Sequence, residues 1–286
     1  MRPRRCRQLK RSLLKVTAKS DQQIHSQLDD AGLAAFLAEL TTISRPIIGK
    51  WFRALNEIEI KSDATPVTIA DKSVELALRE AIATRFPGDD ILGEEHDVTC
   101  GDGSTGYQWV IDPIDGTKAF VCGKQAFGTL VGLLRDNEPV AGLCDMPMLD
   151  EAYVGVGQQA WMNRQAIAPS IVKNLGEARL ATTSPAAFSA KGLELFNRVS
   201  KETRMTSYGG DCHNYALLAA GYLDLVIEDS LAPHDIMGVV PVMTGAGAVV
   251  SDLAGNPVRF PETTSLLCAA TAELHDAALA IINRTS

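Results

Sequence analysis

The spacing of apolar residues changes twice along this chain, and each spacing predicts a different kind of secondary structure. Between residues 30 and 86 the apolar residues recur at helical spacing, which indicates two amphipathic helices. Asp29-Asp30 can cap the first helix, and Pro46 predicts a kink inside it. Thr68 and Asp71 resemble a capping box at the start of the second helix. We expect the two helices to pack as a pair.

The middle and the end of the chain predict two different arrangements of strands. Short β-rich segments divided by Gly, Pro, Asp and Asn indicate an antiparallel meander between residues 107 and 156. From residue 180 onward strands and helices alternate, which is typical of an α/β arrangement. Pro241 lies inside an apparent helix that begins near His234, so we expect a kink there. The strands are expected at 109–111, 127–134, 140–144, 152–156, 203–208, 223–227, 248–251 and 266–270, and the later helices at 187–199, 212–220 and 272–282.

The composition predicts a folded, soluble protein. With 286 residues, 46% hydrophobic and 22% charged, the chain can bury one large core or two smaller ones, which excludes disordered and fibrous classes. Its longest uncharged apolar stretch, 238–250, is shorter than the roughly 20 residues of a membrane-spanning helix. The six cysteines form no CxxC pair, so we expect reduced thiols in the cytoplasm. A soft boundary near residue 175 would divide an N-terminal α+β half (21–175) from a C-terminal α/β half (176–286).

The charges are distributed unevenly. Residues 1–20 contain eight Lys or Arg and no acid, and we interpret them as a basic, disordered leader. The other residues contain 19 bases and 35 acids, a net charge of −16. A protein this acidic repels nucleic-acid backbones and membrane surfaces, so we expect neither as a partner. An anionic substrate would need metal ions or a local binding cradle.

Acidic residues lie beside a Gly, a Pro or a strand end at four places: Asp71, Gly93-Glu94-Glu95, Asp112–Thr117 and Asp235. An apolar strand runs directly into Asp112, and Pro113 stops the strand from continuing. Asp112 and Asp115 therefore lie on one rigid turn, where their charges repel each other. With the Ile114 carbonyl between them and Glu94 available, they provide the hard oxygen ligands that suit Mg²⁺.

Each acid alone has an ordinary structural role available to it. Asp112 can cap a turn, Glu94-Glu95 can be solvated, and Asp235 can cap the helix after Pro233. Together, Glu94, the 112–117 motif and the distant Asp235 resemble the inositol monophosphatase family of magnesium-dependent, lithium-sensitive phosphatases. The resemblance runs from about Asp30 to the C-terminus, and its further motifs are Lys61-Ser62-Asp63, Pro66-Val67-Thr68 and Asp71.

The resemblance implies a fold, a metal site and a mechanism. The fold would be a layered α-β-α-β-α sandwich, and many members of the family are homodimers. Two or three Mg²⁺ ions would be held by Glu94, Asp112, the Ile114 carbonyl, Asp115 and Asp235. Glu94 and the Thr117 hydroxyl would orient the attacking water, and Asp71 would accept the Thr117 proton. The backbone N–H groups of Gly116 and Thr117 can donate to phosphate oxygens.

A loop in the second half is the predicted substrate site. It contains Tyr208, Gly209, Gly210 and Asp211. Inositol-type relatives have a small uncharged residue where this chain has Asp211, and Glu228 lies seven residues before Asp235, as in the family's alcohol-binding strand. Two carboxylates beside a phosphate pocket favour a cationic substrate. The ordinary alternative for Asp211 is a helix N-cap.

One branch of the family resembles this chain in several further segments. The segments Tyr208–Cys212, 218–221, 240–242 and 118–120 resemble the histidinol-phosphate phosphatase branch, whose substrate carries an amine and an imidazole. The chain departs from that branch at His213-Asn214 and at His234. We expect His234 to pack near the site without binding metal. The alternative is an inositol-1-phosphatase-like or broad sugar-phosphate phosphatase. A nucleotide 3′-phosphatase and a non-catalytic homologue are less favoured.

Overall fold

The computed structural model describes residues 29–54, 58–60, 66–102 and 105–284. The predicted leader, residues 1–20, and the Lys61-Ser62-Asp63 segment lie outside these ranges. In the described ranges the helices are α1 (Asp30–Trp51), α2 (Ile69–Arg85), α3 (Thr117–Val121), α4 (Ala190–Ser200), α5 (His213–Ala219), α6 (Pro233–Met237), α7 (Val240–Ala246) and α8 (Ala272–Ile282).

The strands form a two-stranded hairpin and two larger sheets. The hairpin is β1 (Ile58–Ile60) and β2 (Pro66–Thr68). The first large sheet contains, in spatial order, β3 (Asp90–Gly93), β4 (Tyr107–Asp115), β5 (Gly128–Arg135), β6 (Glu138–Met146), β7 (Glu151–Val156), β8 (Gln159–Met162) and β9 (Gln165–Ala166). The second contains β10 (Arg179–Thr182), β11 (Met205–Tyr208), β12 (Leu225–Asp229), β13 (Val249–Ser251) and β14 (Ser265–Ala269), in the order β11-β10-β12-β14-β13.

These elements stack in five layers. Helices α1 and α2 cover one face of the seven-stranded sheet, and α6 and α7 cover its other face. Helix α5 lies between the two large sheets, since it contacts α7 as well as β12 and β14. Helices α4 and α8 cover the far face of the five-stranded sheet. The predicted α-β-α-β-α sandwich is confirmed, and the boundary predicted near residue 175 falls in the segment between β9 and β10.

The predicted helix pair and its caps are present. Asp29 accepts a hydrogen bond from Gly32 N (2.8 Å), and Thr68 and Asp71 form a capping box. Helix α1 continues through Pro46 and is long and apolar enough, by length and composition alone, to cross a membrane. Charged residues such as Arg45 interrupt its apolar sequence, so it does not stand out as an uncharged run. Its apolar side packs against α2, β6 and β7, and Arg45 pairs with the fully buried carboxylate of Asp145 (2.7 Å).

Two expectations about the C-terminal half and the cysteines were wrong. The segment after His234 is not one kinked helix, because α6 ends at Met237 and a second helix, α7, begins at Val240. Pro241 lies in the first turn of α7, where its missing N–H is not needed. Cys100 is disulfide-bonded, so the expectation of six reduced thiols does not hold, whereas Cys122, Cys144, Cys212 and Cys268 are free.

Helices α6 and α7 lie directly on a row of glycines. Gly132, Gly142 and Gly155 are paired across β5, β6 and β7. A Cβ atom on Gly142 would lie 2.2 Å from the Gly238 carbonyl oxygen, and one on Gly155 would lie 2.2 Å from the Pro241 carbonyl oxygen. The row therefore lets the helix backbones touch the sheet, which fixes the position of the C-terminal end of α6 and the start of α7.

Candidate metal and phosphate site

The centre of the site is the turn at the end of β4. Pro113 does not stop the strand as expected, because β4 continues through it to Asp115. The pairing of β4 with β5 is irregular between Asp112 and Asp115, and Gly116 adopts the left-handed conformation (φ 83°) before α3 begins. Asp112 accepts a hydrogen bond from Ile114 N (3.1 Å), and the Thr129 hydroxyl donates to the Pro113 carbonyl (2.8 Å). These bonds hold both acids of the turn on the side that faces α6.

Four acids predicted to bind metal lie together. One side-chain oxygen from each of Asp112, Asp115 and Asp235 lies within 4.8 Å of the other two. In a second group, one side-chain oxygen of Glu94, one of Asp112 and a ring nitrogen of His234 also lie within 4.8 Å of one another. Asp112 therefore belongs to both groups. Glu94 is tied to β4 by its backbone N–H, which donates to the Ile111 carbonyl (3.2 Å). These acids are far apart in the sequence, and the turn, the β3 loop and α6 bring them into one cluster.

Burial and mutual repulsion disfavour the charged forms of these acids. Burial raises the pKa of Asp112 well above its usual range, and the charges of Glu94, Asp115, Asp235 and Asp71 raise it further. Burial and then Asp235 and Asp211 do the same to the pKa of Asp115, although Asp115 accepts a hydrogen bond from Cys212 N (2.7 Å). Burial also raises the pKa of Asp235.

A divalent cation fits this donor set. A cluster of buried and half-buried carboxylates this close together is ionised more readily when cations compensate the charge, and carboxylate oxygens are the ligands of hard divalent metals. Asp235 serves two purposes, since its Oδ2 accepts a hydrogen bond from Ala232 N (2.7 Å) at the start of α6. The capping interpretation of Asp235 and its place in the cluster are therefore compatible.

Thr117 and Asp71 lie beside the cluster. The Thr117 hydroxyl is 3.0 Å from the Ile114 carbonyl oxygen and 3.4 Å from Asp71 Oδ1, and it can donate to either. The other oxygen of Asp71 accepts a hydrogen bond from Thr68 N (2.9 Å). Burial raises the pKa of Asp71. The Ile114 carbonyl, Thr117 and Asp71 thus form one chain of polar groups at the edge of the acidic cluster.

The predicted substrate loop lies against the metal turn. Gly209, Gly210 and Asp211 all have positive φ angles (85°, 118° and 47°), and the next residue donates its N–H to Asp115. A Cβ atom on Gly116 would lie 3.0 Å from the Asp211 carboxyl carbon, so Asp211 faces the turn at the end of β4. Helix α5 begins with Cys212 as its N-cap and has no side-chain cap. The alternative interpretation of Asp211 as a helix cap is therefore wrong.

Two carboxylates of the second half lie near this loop. Burial raises the pKa of Asp211 to about 6, and the nearby Lys118 and Lys124 oppose that shift. Glu228, at the end of β12, is 4% exposed and accepts hydrogen bonds from the Thr182 hydroxyl (3.0 Å) and from Thr183 N. Burial raises the pKa of Glu228 to about 7, and the negative charge of Asp211 contributes to the increase. The two carboxylates therefore repel each other. Tyr208 is 58% exposed beside the loop.

Sequence reasoning missed the residues that support Glu94. The fully buried carboxylate of Glu75 on α2 accepts hydrogen bonds from Glu95 N (2.7 Å) and His96 N (3.2 Å). Arg79, one turn later, donates to Glu75 (2.7 Å) and to the His96 carbonyl (3.2 Å). The spacing of Glu75 and Arg79 on one helix face was the only signal in the sequence, and it is shared by many solvent-exposed ion pairs.

We expect Glu75→Gln to weaken metal activation while the fold is retained. The amide cannot accept all the hydrogen bonds that the carboxylate accepts, so the Glu94 loop loses its support. Residues that orient metal ligands typically contribute about 10- to 100-fold to metal affinity, and we expect the Mg²⁺ concentration for half-maximal activity to rise by that factor. Asp224→Asn is the matched control, since Asp224 is a buried partner of Arg179 (2.8 Å) outside the site. An equal rise in both variants would show that only stability is affected.

Comparison with known proteins agrees with this geometry. Residues 30–286 match the model of the inositol monophosphatase family. The chain belongs to this family. It is therefore a phosphoric monoester hydrolase of a metal-dependent family, and its acidic clusters are groups that can hold metal.

Several proteins similar to this chain are named for an activity. It is 39% identical over 265 residues to a bifunctional phosphatase of Arabidopsis thaliana named IMPL2, chloroplastic, which covers 89% of this chain and 77% of the relative. It is 34% identical to a histidinol-phosphatase of Mycobacterium tuberculosis, with 89% and 98% of the two chains covered. An inositol monophosphatase structure from Zymomonas mobilis superposes with a TM-score of 0.79 at 35% identity and covers 88% of this chain and 97% of that chain.

Proposed function

We propose that this protein hydrolyses histidinol phosphate to histidinol and inorganic phosphate with bound Mg²⁺. The observation that carries the proposal is the pair of carboxylates, Asp211 and Glu228, beside the turn that would bind the phosphate. The similarity to proteins named histidinol-phosphatase, at 32% and 34% identity, supports the same substrate. We propose two or three Mg²⁺ ions as the metal complement.

The two carboxylates suit a substrate that carries positive charge. Asp211 forms no helix cap, and its carboxylate faces Gly116. Beside a dianionic phosphate, the negative charges of Asp211 and Glu228 would disfavour an ester that has no positive group more than one that carries an ammonium group. Charge-assisted hydrogen bonds from an ammonium group to carboxylates contribute roughly 1.5 to 3 kcal/mol each. The substrate's amine would therefore offset the burial of Asp211 and Glu228.

The residues of the metal turn have distinct roles in the proposed reaction. Divalent ions, when bound, neutralise phosphate charge and lower the pKa of water, which is the chemistry that the site requires. Glu94, Asp112, the Ile114 carbonyl, Asp115 and Asp235 would hold them. The Thr117 hydroxyl would donate its proton to Asp71, and its oxygen lone pairs would then orient the attacking water together with Glu94. The N–H groups of Gly116 and Thr117 would donate to phosphate oxygens.

A phosphate-release panel tests this proposal. Histidinol phosphate and inositol 1-phosphate are compared with Mg²⁺, with Mg²⁺ and Li⁺, and with EDTA. We expect kcat/KM for histidinol phosphate to exceed that for inositol 1-phosphate by at least about tenfold, because one charge-assisted contact amounts to roughly that factor. We also expect activity to disappear in EDTA and to fall with Li⁺.

The alternative is an inositol-1-phosphatase-like or broad sugar-phosphate phosphatase. Its support is the similarity to the Zymomonas mobilis structure and to an inositol-1-monophosphatase of Bacillus subtilis, which is 33% identical over 215 residues. Equal or faster release from inositol 1-phosphate in the same panel would replace the histidinol phosphate proposal with this alternative.

A further inference from the structure

His234 lies inside the acidic cluster, although the sequence favoured a packing role. Its Nε2 atom is 4.0 Å from Glu94 Oε1 and 3.6 Å from Asp235 Oδ1. A ring nitrogen of His234 and one oxygen each of Glu94 and Asp112 lie within 4.8 Å of one another. The side chain is 24% exposed, so it lines the site without being closed off from solvent.

The local fold determines where this imidazole points. Pro233 opens α6, and the hydrogen bond from Ala232 N to Asp235 Oδ2 (2.7 Å) fixes the first turn. The glycine row of β5, β6 and β7 holds the other end of α6 against the sheet. His234 is therefore held next to Asp235, on the side of the turn that faces Glu94.

The separations fit ligands of one ion. Nitrogen and oxygen ligands lie about 2.0 to 2.2 Å from a small divalent metal, so two donors on one ion are roughly 3 Å apart when adjacent and about 4.2 Å apart when opposite. The separation of 4.0 Å between His234 Nε2 and Glu94 Oε1 lies within that range. A metal held by Glu94 and Asp112 can consequently have the imidazole as a further ligand.

We propose that His234 is a nitrogen ligand of the ion held by Glu94 and Asp112, and that this mixed site prefers Mn²⁺ over Mg²⁺ more strongly than carboxylates alone would. Imidazole suits transition metals, whereas Mg²⁺ strongly prefers oxygen, and Mn²⁺ accepts both types of ligand. The inference rests on the metal site of the proposed function. It adds a ligand and a metal preference that the all-oxygen site lacks.

Pulsed electron paramagnetic resonance of the metal-stripped full chain loaded with Mn²⁺ tests the ligand directly. We expect ¹⁴N modulation from a directly bound imidazole in the original protein. The control variant His275→Gln should show it too, because His275 Nε2 lies 2.8 Å from Ser251 Oγ, away from the cluster. The modulation should disappear in His234→Gln. Labelling all histidines with ¹⁵N should change the coupling in the unsubstituted protein, so the result does not depend on the variant's folding.

Metal titration gives a second readout without substrate. In His234→Gln we expect Mn²⁺ affinity to fall by at least about tenfold, and Mg²⁺ affinity to change less. Tenfold is the lower end of the loss in metal affinity when a residue that only orients a ligand is removed. Absence of nitrogen coupling in the unsubstituted protein, or unchanged coupling in His234→Gln, would overturn the inference. Because neither measurement uses a phosphate ester, a failure of the histidinol phosphate proposal is distinguished from a failure of the His234 proposal.

Discussion

Asp112→Asn is expected to reduce metal-dependent phosphate release by about a thousandfold or more. Divalent ions supply several kcal/mol of charge stabilisation in such reactions, and every 1.36 kcal/mol is a factor of ten in rate. Asp112 is the acid shared by both groups of potential ligands, so the amide weakens both. Phosphate release with saturating Mg²⁺ measures the loss, and unchanged release would contradict the assignment of the metal site.

The same substitution should stabilise the metal-free protein. The pKa of Asp112 is raised in the folded state, so the folded protein binds more protons than the unfolded chain between the ordinary Asp pKa of about 3.9 and that raised pKa. Stability therefore falls as the pH rises through this interval, because burial and the repulsion from Glu94, Asp115 and Asp235 disfavour the ionised form. The uncharged Asn removes that loss.

Thermal unfolding in EDTA distinguishes this effect from ordinary damage. We expect Asp112→Asn to raise Tm at pH 8 and to raise it less at pH 5, because the original Asp112 is more protonated at the lower pH. Mg²⁺ should raise the Tm of the original protein more than that of the variant. Asp224→Asn is the contrasting control, because Asp224 is already paired with Arg179 and its loss should lower Tm. A lower Tm for both variants in EDTA would contradict the electrostatic origin of the effect.

Asp211→Ser is expected to lower kcat/KM for histidinol phosphate by about 10- to 100-fold, the equivalent of one charge-assisted hydrogen bond of roughly 1.5 to 3 kcal/mol. An uncharged ester such as inositol 1-phosphate should lose much less, because it has no ammonium group to pair with the carboxylate. Phosphate release from both esters, measured with the same enzyme preparation, gives the comparison.

Asp211→Asn is the matched variant for this test. Asp211 has a φ of 47°, a conformation that Asn tolerates better than Ser, so the amide removes the charge without straining the loop. Both variants should show the same selective loss. Equal losses on the two esters, in both variants, would mean that Asp211 shapes the loop and does not recognise the amine.

The sequence predicted those parts of the fold that depend on local patterns. Thr68 and Asp71 set the start of α2, and turn residues divided the meander of β4 to β7 correctly. The 112–117 motif identified its own acids, because an apolar strand leads directly into Asp112. The expectation that Pro113 ends this strand was wrong, since β4 continues to Asp115 with a register shift after Asp112. The layered architecture came from the family resemblance, since no periodicity records which face of a sheet a distant helix covers.

The remaining features depend on contacts between distant segments. Strand β3 joins the sheet in parallel beside β4 and was not predicted, although it delivers Glu94 to the cluster. The burial of Glu75 depends on a distant segment, because the backbone after Glu94 folds over it and donates hydrogen bonds to its carboxylate. His234 was assigned to packing because its neighbours along the chain say nothing about Glu94, which lies on another element.

The glycine row has a consequence for how mutations in this protein should be interpreted. Gly132, Gly142 and Gly155 carry no chemistry, yet a methyl group at Gly142 would occupy the space of the Gly238 carbonyl and lift α6 from the sheet. Asp235 and His234 would move with the helix. A random mutagenesis screen for inactive but soluble protein should therefore recover these three glycines as well as the acids. Such variants would resemble active-site mutants, although they alter only the distance between the helix backbone and the sheet.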